Sequence, residues 1–319
     1  MADLTDYCSD DRDEDERRED DERWEDDDSC HDAADQGDLV LLQQCRKAGS
    51  PCDERTCVNA ARGGHLHILQ WLKQQRCCRW DTMASACAAY WGHLHILQWA
   101  RAQNPPYFWD ARTCAAAAEN GHLDILQWCR QQGCPWDAWT CADAARGGHL
   151  HILQWARANG CPWDWWTCAR AAENGHLDIL QWARQQGCPW NGTICTRAAE
   201  NGQLGILQWA RAQQPPCPWG EMTCAWAAGQ GHWQVVQWLL RQGCLWNGQM
   251  HTSPFVIRPS ANQGRTQHYD AQIWLIQHLH ITKTTVDAVP WLKTVQLVLG
   301  QHLPTFLCRD VVTLVQCYV

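Results

Sequence analysis

DWWTCARAAENGHLDILQWARQQGCPW, residues 164–190, is one copy of a unit that recurs along most of this chain. Its central phrase appears as GHLHILQW at 64–71, 92–99 and 148–155, and as GHLDILQW at 121–128 and 175–182. GQLGILQW at 202–209 and GHWQVVQW at 231–238 are looser copies, and GDLVLLQQ at 37–44 is a worn one upstream. The glycines fall 27 residues apart, with occasional additions of one or two. A period in this range implies stacked repeats in place of a single globular core.

Within the quoted unit, Asp164 is suited to cap a helix N-terminus, with Thr167 in the first turn. The helix WWTCARAA then stops at Asn174-Gly175, a pair that accepts the left-handed conformation. At 100° per residue, Cys168, Ala171 and Ala172 share one narrow arc, so a neighbouring helix can approach closely. Trp166, Arg170 and Glu173 share the opposite side. The second helix, HLDILQWARQQ, carries Leu177, Ile179, Leu180, Trp182 and Ala183 on an apolar arc wider than the ~100° stripe of a surface helix. Such a helix is sandwiched between neighbours. Pro189 blocks its continuation, and Asn191 caps the next helix.

A short helix ending in Ala-Ala-x-x-Gly, then His-Leu-x-aliphatic-aliphatic and a second helix ending in Gly, resembles the ankyrin repeat. The resemblance covers residues 30–247 in eight copies. It implies an all-α, ankyrin-like solenoid of about eight helix-turn-helix units whose first helices line a concave, partner-binding surface. Two departures stand out. The Thr-Pro-Leu-His opening of ankyrin repeats is replaced by x-Thr-Cys-Ala, and GCPWD is too short for the β-hairpin finger those repeats project. The short units, rich in Cys and Trp, are similar to ankyrin arrays encoded by amoeba-infecting giant DNA viruses. That implies a host-directed role and a place in the host cytoplasm.

The flanks differ from the array. Residues 1–29 hold 11 Asp, 5 Glu and 4 Arg, a net charge of −12 against −9 for the whole chain. They are too polar to bury a core and read as a disordered acidic tail. The rest is close to neutral, which argues against a broad nucleic-acid footprint. Residues 248–319 lose the repeat signature, and stretches near 269–281, 286–300 and 305–318 suit helices that cap the array. No apolar leader or 18-residue apolar run stands out, so the chain reads as intracellular, without a membrane span and monomeric.

Cysteines number 21 and fall mostly in two columns. Cys30, Cys57, Cys114, Cys141, Cys168, Cys195 and Cys224 lie on the inner arc of the first helix, where free Cys behaves as a small hydrophobe. Cys52, Cys78, Cys134, Cys161, Cys188, Cys217 and Cys244 lie in the loop after each unit and are expected to be more exposed, with thiols free in a reducing compartment. No CxxC occurs, so no cofactor or metal is expected. A Cys-rich metal- or redox-responsive array is the alternative reading. Histidines His65, His93, His122, His149, His176 and His232 recur at one turn position and read as structural. One Trp column, Trp71 to Trp238, reads as core; the other, Trp80 to Trp246, as a cover over the junctions between units. HExxH, GxSxG, phosphate-loop and dinucleotide fingerprints are all missing, and no enzyme is indicated.

Recognition should therefore be sought where the copies differ. The outer stripe of the first helix varies from copy to copy, and its unrepeated Trp and Arg among mixed charges suit a protein-binding patch. Trp139, Asp143, Trp166, Arg170, Glu173, Arg197 and Trp226 are the candidates for binding an unidentified protein partner. A second alternative gives the acidic tail the role of a nucleic-acid mimic.

Overall fold

The computed structural model describes residues 29–77 and 80–244. The acidic tail, save Ser29, and the C-terminal segment lie outside the described residues, as do Cys78 and Trp246. Among the described residues every regular element is a helix, in agreement with the expected all-α class, and each repeat contributes two. The first helices are α1 (Ser29–Gln36), α3 (Glu54–Arg62), α5 (Thr82–Tyr90), α7 (Ala111–Glu119), α9 (Ala138–Arg146), α11 (Trp165–Glu173), α13 (Thr193–Glu200) and α15 (Glu221–Gly229). The second helices are α2 (Leu39–Ala48), α4 (Leu66–Gln74), α6 (Leu94–Arg101), α8 (Leu123–Gln131), α10 (Leu150–Ala158), α12 (Leu177–Gln185), α14 (Leu204–Ala212) and α16 (Trp233–Arg241). Contacts group the chain into two compact units, one within Met1–Ala171 and Asp178–Pro189, the other within Ala172–Leu177 and Trp190–Val319.

In the first unit, α1, α3, α5, α7 and α9 pack each on the next, and each also packs on its own second helix. In the second unit α13 packs on α15 in the same way. Aspartates start most first helices: the carboxylates of Asp53, Asp81, Asp110 and Asp137 accept first-turn backbone N–H groups. Each such cap is worth ~1 kcal/mol. Asp53 and Thr56 complete a reciprocal capping box.

The Gly-His step is explained by two constraints acting together. Gly64, Gly92 and Gly121 have φ of +77°, +83° and +86°, a conformation that favours glycine. The histidine of the following copy also lies against each glycine, so that a Cβ on Gly64 would stand 2.7 Å from the His93 ring. His93 Nε2 donates to the carbonyl of Arg62 at 2.8 Å, and His65 and His122 bond in the same way to Asp35 and Tyr90. Burial pushes the His93 pKa down despite that bond. The repeated histidine is thus a clamp between adjacent copies.

The core of each pair is narrower than the second-helix pattern suggests. Ile125, Leu126 and Cys129, like Ile152, Leu153 and Ala156, are buried against the Ala/Cys arc of the first helices. Burying each large aliphatic side chain contributes roughly 1.5–3 kcal/mol. The second-helix tryptophans, expected in the core, are only half-buried. They sit two positions beyond the Ile-Leu pair and turn instead toward the loop tryptophans. Trp109 meets Trp128 edge-to-face at 5.7 Å, and Trp136 meets Trp155 at 5.9 Å. Arg101, Arg130 and Arg157 place their guanidinium carbons 4.4, 4.1 and 4.2 Å from the ring centroids of Trp109, Trp136 and Trp163. Trp109, Trp136, Trp163 and Trp219 are thus each held between copies by a second-helix indole and an arginine.

The loop cysteines correct a second expectation. Cys134, Cys161, Cys188 and Cys217 are fully buried. Their thiols point to the backbone carbonyls of Asp110, Asp137, Asp164 and Asn191 at 3.2–3.4 Å. Cys134, Cys161, Cys217 and Cys244 also meet the first-helix cysteines of their own copies, Cys114, Cys141, Cys195 and Cys224. The contact with Cys134 and burial push the Cys114 thiol far up. Sixteen described cysteines are free thiols. Cys52 and Cys77 are half-buried. On maleimide labelling of the native chain with peptide mapping, these two should react first among the described thiols. Cys114, Cys141 and Cys161 should react only after unfolding. Early labelling of the latter would contradict their burial.

Candidate functional site

The N-terminal turns of α9 and α11 build the most distinctive surface in the first unit. Asp137 Oδ1 accepts the Trp139 N–H at 3.0 Å, and Asp164 Oδ1 accepts the Trp166 N–H at 2.9 Å. The N–H groups of Thr140 and Thr167 bond to the carbonyls of the same aspartates at 3.1 and 3.2 Å. Both helix starts are therefore closed by their own caps, and the side chains of the first turn are held in fixed directions.

Three indoles cluster there. Trp139 and Trp166 meet at 6.2 Å between ring centroids with planes 81° apart, and Trp165 and Trp166 at 4.9 Å and 76°. Trp166 is the common wall, edge-to-face with both neighbours. Trp139 and Trp165 remain 40% and 38% exposed, which is high for so large an apolar side chain. Ala138, Trp139, Asp164, Trp165 and Trp166 line an open depression of about 250 Å³. Arg170, one turn after Trp166, holds its guanidinium carbon 5.1 Å from the Trp166 centroid.

The structure brings Trp139, Trp166 and Arg170 together but changes their exposure. Asp143 and Arg170, expected on the open stripe, are buried at 8% and 6% exposure. Three positions further along the first helices, charges pair across copies: Arg62 with Asp35 at 2.8 Å and Arg146 with Glu119 at 3.2 Å. A charged stripe can be drawn inward when each copy supplies the counter-charge of the next. Trp166 is half-buried, leaving Trp139 as the exposed member of the first-unit candidates.

Glu173, Arg197 and Trp226 belong to the second unit and are half-buried there. Arg197 is bonded to Glu200 of its own helix at 2.9 Å. Trp165 was missed by the stripe reasoning because it lies off the outer arc. Its signal was nonetheless present, since no other copy has Trp at that position.

A second depression, of about 630 Å³, is lined by Cys52, Asp53, Glu54, Arg55, Val58, Cys77, Asp81 and Met83. Cys52 lies 3.4 Å from Cys30, sulfur to sulfur. His31 Nε2 meets Asp53 Oδ1 at 2.9 Å. Burial raises the Asp53 pKa, but that contact and the first-turn N–H groups outweigh it and hold the carboxyl below its usual range. Among the described residues no three His, Cys, Asp or Glu side chains are placed to hold a metal ion, and no helix is long and apolar enough to cross a membrane.

No protein-family model matches the chain, and no curated protein matches it by sequence.

Proposed function

We propose that this chain is a non-catalytic scaffold of the ankyrin type, a solenoid of short fingerless repeats that captures a protein partner on the first-helix face. The observation that carries this reading is the pair of exposed indoles, Trp139 and Trp165, anchored on the half-buried Trp166. Indoles fixed at a surface bury large apolar area with little loss of side-chain freedom, which makes Trp a frequent energetic centre of interfaces. The Asp164 carboxylate supplies a polar edge. Nearly every other recurring residue is committed to stacking, clamping or capping.

Affinity capture from host-cell extract tests the reading. Trp139→Ala with Trp165→Ala should lose the captured partner while the far-UV circular dichroism stays that of the parent. Both residues are exposed, so their loss opens no internal cavity. Undiminished capture would remove this face from the account. Arg170→Ala is a poorer probe, because a side chain 6% exposed also contributes to packing.

A further inference from the structure

We propose that the depression between Trp139, Trp165 and Trp166 is an aromatic cage for an alkylated ammonium, the trimethylated side chain of a lysine on the bound protein. The inference rests on the scaffold reading above and specifies what its docking face reads.

The choice of ligand follows from what the site offers. Its walls are three indoles, Trp166 standing nearly perpendicular to both Trp139 and Trp165, with one carboxylate, Asp164, at the edge. A helix N-terminus by itself would draw an anion. Here the N–H groups of Trp139, Thr140, Trp166 and Thr167 are already bonded to Asp137 and Asp164, which takes most of the first-turn donors an anion would need. Each capping carboxylate also brings a full negative charge against the roughly half positive charge of a helix start. The local balance thus turns toward cations.

Indole faces attract cations through their ring quadrupole. Trp166 already does so with Arg170. Among the described residues no cation is stacked on Trp139 or Trp165, and these are the exposed walls. A compact, strongly hydrated ammonium needs several acceptors, and the lining offers it a single carboxylate, Asp164. A trimethylammonium spreads its charge over apolar methyl groups, needs no hydrogen-bond acceptor and is small enough for a depression of about 250 Å³. The remainder of the face then holds the segment that carries the lysine.

Titration of the full chain with N-acetyl-trimethyllysine amide, followed by saturation-transfer NMR on the N-methyl protons, provides the test. The controls are the unmodified lysine amide and the neutral tert-butyl analogue of the same shape. The trimethyl probe should bind about tenfold tighter than either control. Trp165→Ala should weaken it by about the same factor, and Trp165→Phe by less. Asp164→Asn keeps a competent cap, so its fold is retained, and it should weaken binding several-fold. Equal affinity for the neutral analogue, no detectable binding, or indifference to Trp165→Ala would each overturn the cage. If those results came with loss of partner capture in the Trp139→Ala, Trp165→Ala chain, the docking face would stand without a cage. Retained capture would remove both.

Discussion

Gly147→Ala should destabilise the protein by about 3 kcal/mol, at the upper end of what overpacking costs. A Cβ at Gly147 would stand 1.9 Å from the carbonyl oxygen of Glu119, at the end of the first helix one copy earlier, and 2.8 Å from His149 Cδ2. The obstacle is backbone, which cannot swing aside as a side chain could. Gly147 has φ −74°, so the whole effect is steric. Gly160→Ala is the matched control: its φ is +84°, with nothing within 4 Å of a Cβ. It should cost only the ~1–2 kcal/mol of a left-handed alanine. Urea denaturation midpoints of the two variants, compared at constant slope, check the ordering. A smaller loss in Gly147→Ala than in Gly160→Ala would contradict the close approach of adjacent copies.

Leu153→Ala should cost ~2–5 kcal/mol, the range for deleting a fully buried leucine side chain. Leu153 sits in the middle of α10, flanked by the buried Ile152, and has no exposed surface to collapse onto. Gln154→Ala, at the adjoining exposed position, should stay within ~0.5 kcal/mol of the parent. The contrast isolates burial, since both changes leave the helix with a better or equal helix former. Thermal unfolding followed at 222 nm distinguishes them. Equal loss in both variants would mean that the Ile-Leu face is not the core.

Much of the local structure was legible in the sequence because it depends on neighbours close in the chain. The caps at Asp53, Asp110 and Asp137, the stops at Gly121 and Gly175, and the Ile-Leu face of each second helix all follow from spacings of a few residues. What escaped depends on partners some 19 to 27 positions away. Asp143 and Arg170 look like solvated charges but are buried, and the Arg62–Asp35 and Arg146–Glu119 pairs, three positions further along the first helices, join copies at an offset of 27. Cys134 looks like an exposed loop residue, but its neighbour is Cys114, twenty positions back. The helical arc of α12 places Trp182 inside, yet Trp163 of the preceding loop draws it to the rim at 5.8 Å. Trp165 lies off the outer stripe by angle, and only the position of Trp166 and Trp139 around it makes it part of the site.

The half-buried Cys52 and Cys77 are the part of the cysteine pattern that departs from its structural use. Elsewhere the loop and first-helix thiols meet in pairs and are buried. That arrangement explains how a chain with 21 cysteines can use most of them as small apolar side chains.

The central claim is that a partner docks on the first-helix face at the indole cluster. A photo-crosslinking residue, p-benzoylphenylalanine, placed at position 165 and, in a separate chain, at the exposed position 178 of α12, tests it most directly. Irradiation in host extract should yield a discrete crosslinked protein from position 165 and none from position 178. Crosslinking from 178 alone would place the partner on the second-helix face and contradict the assignment.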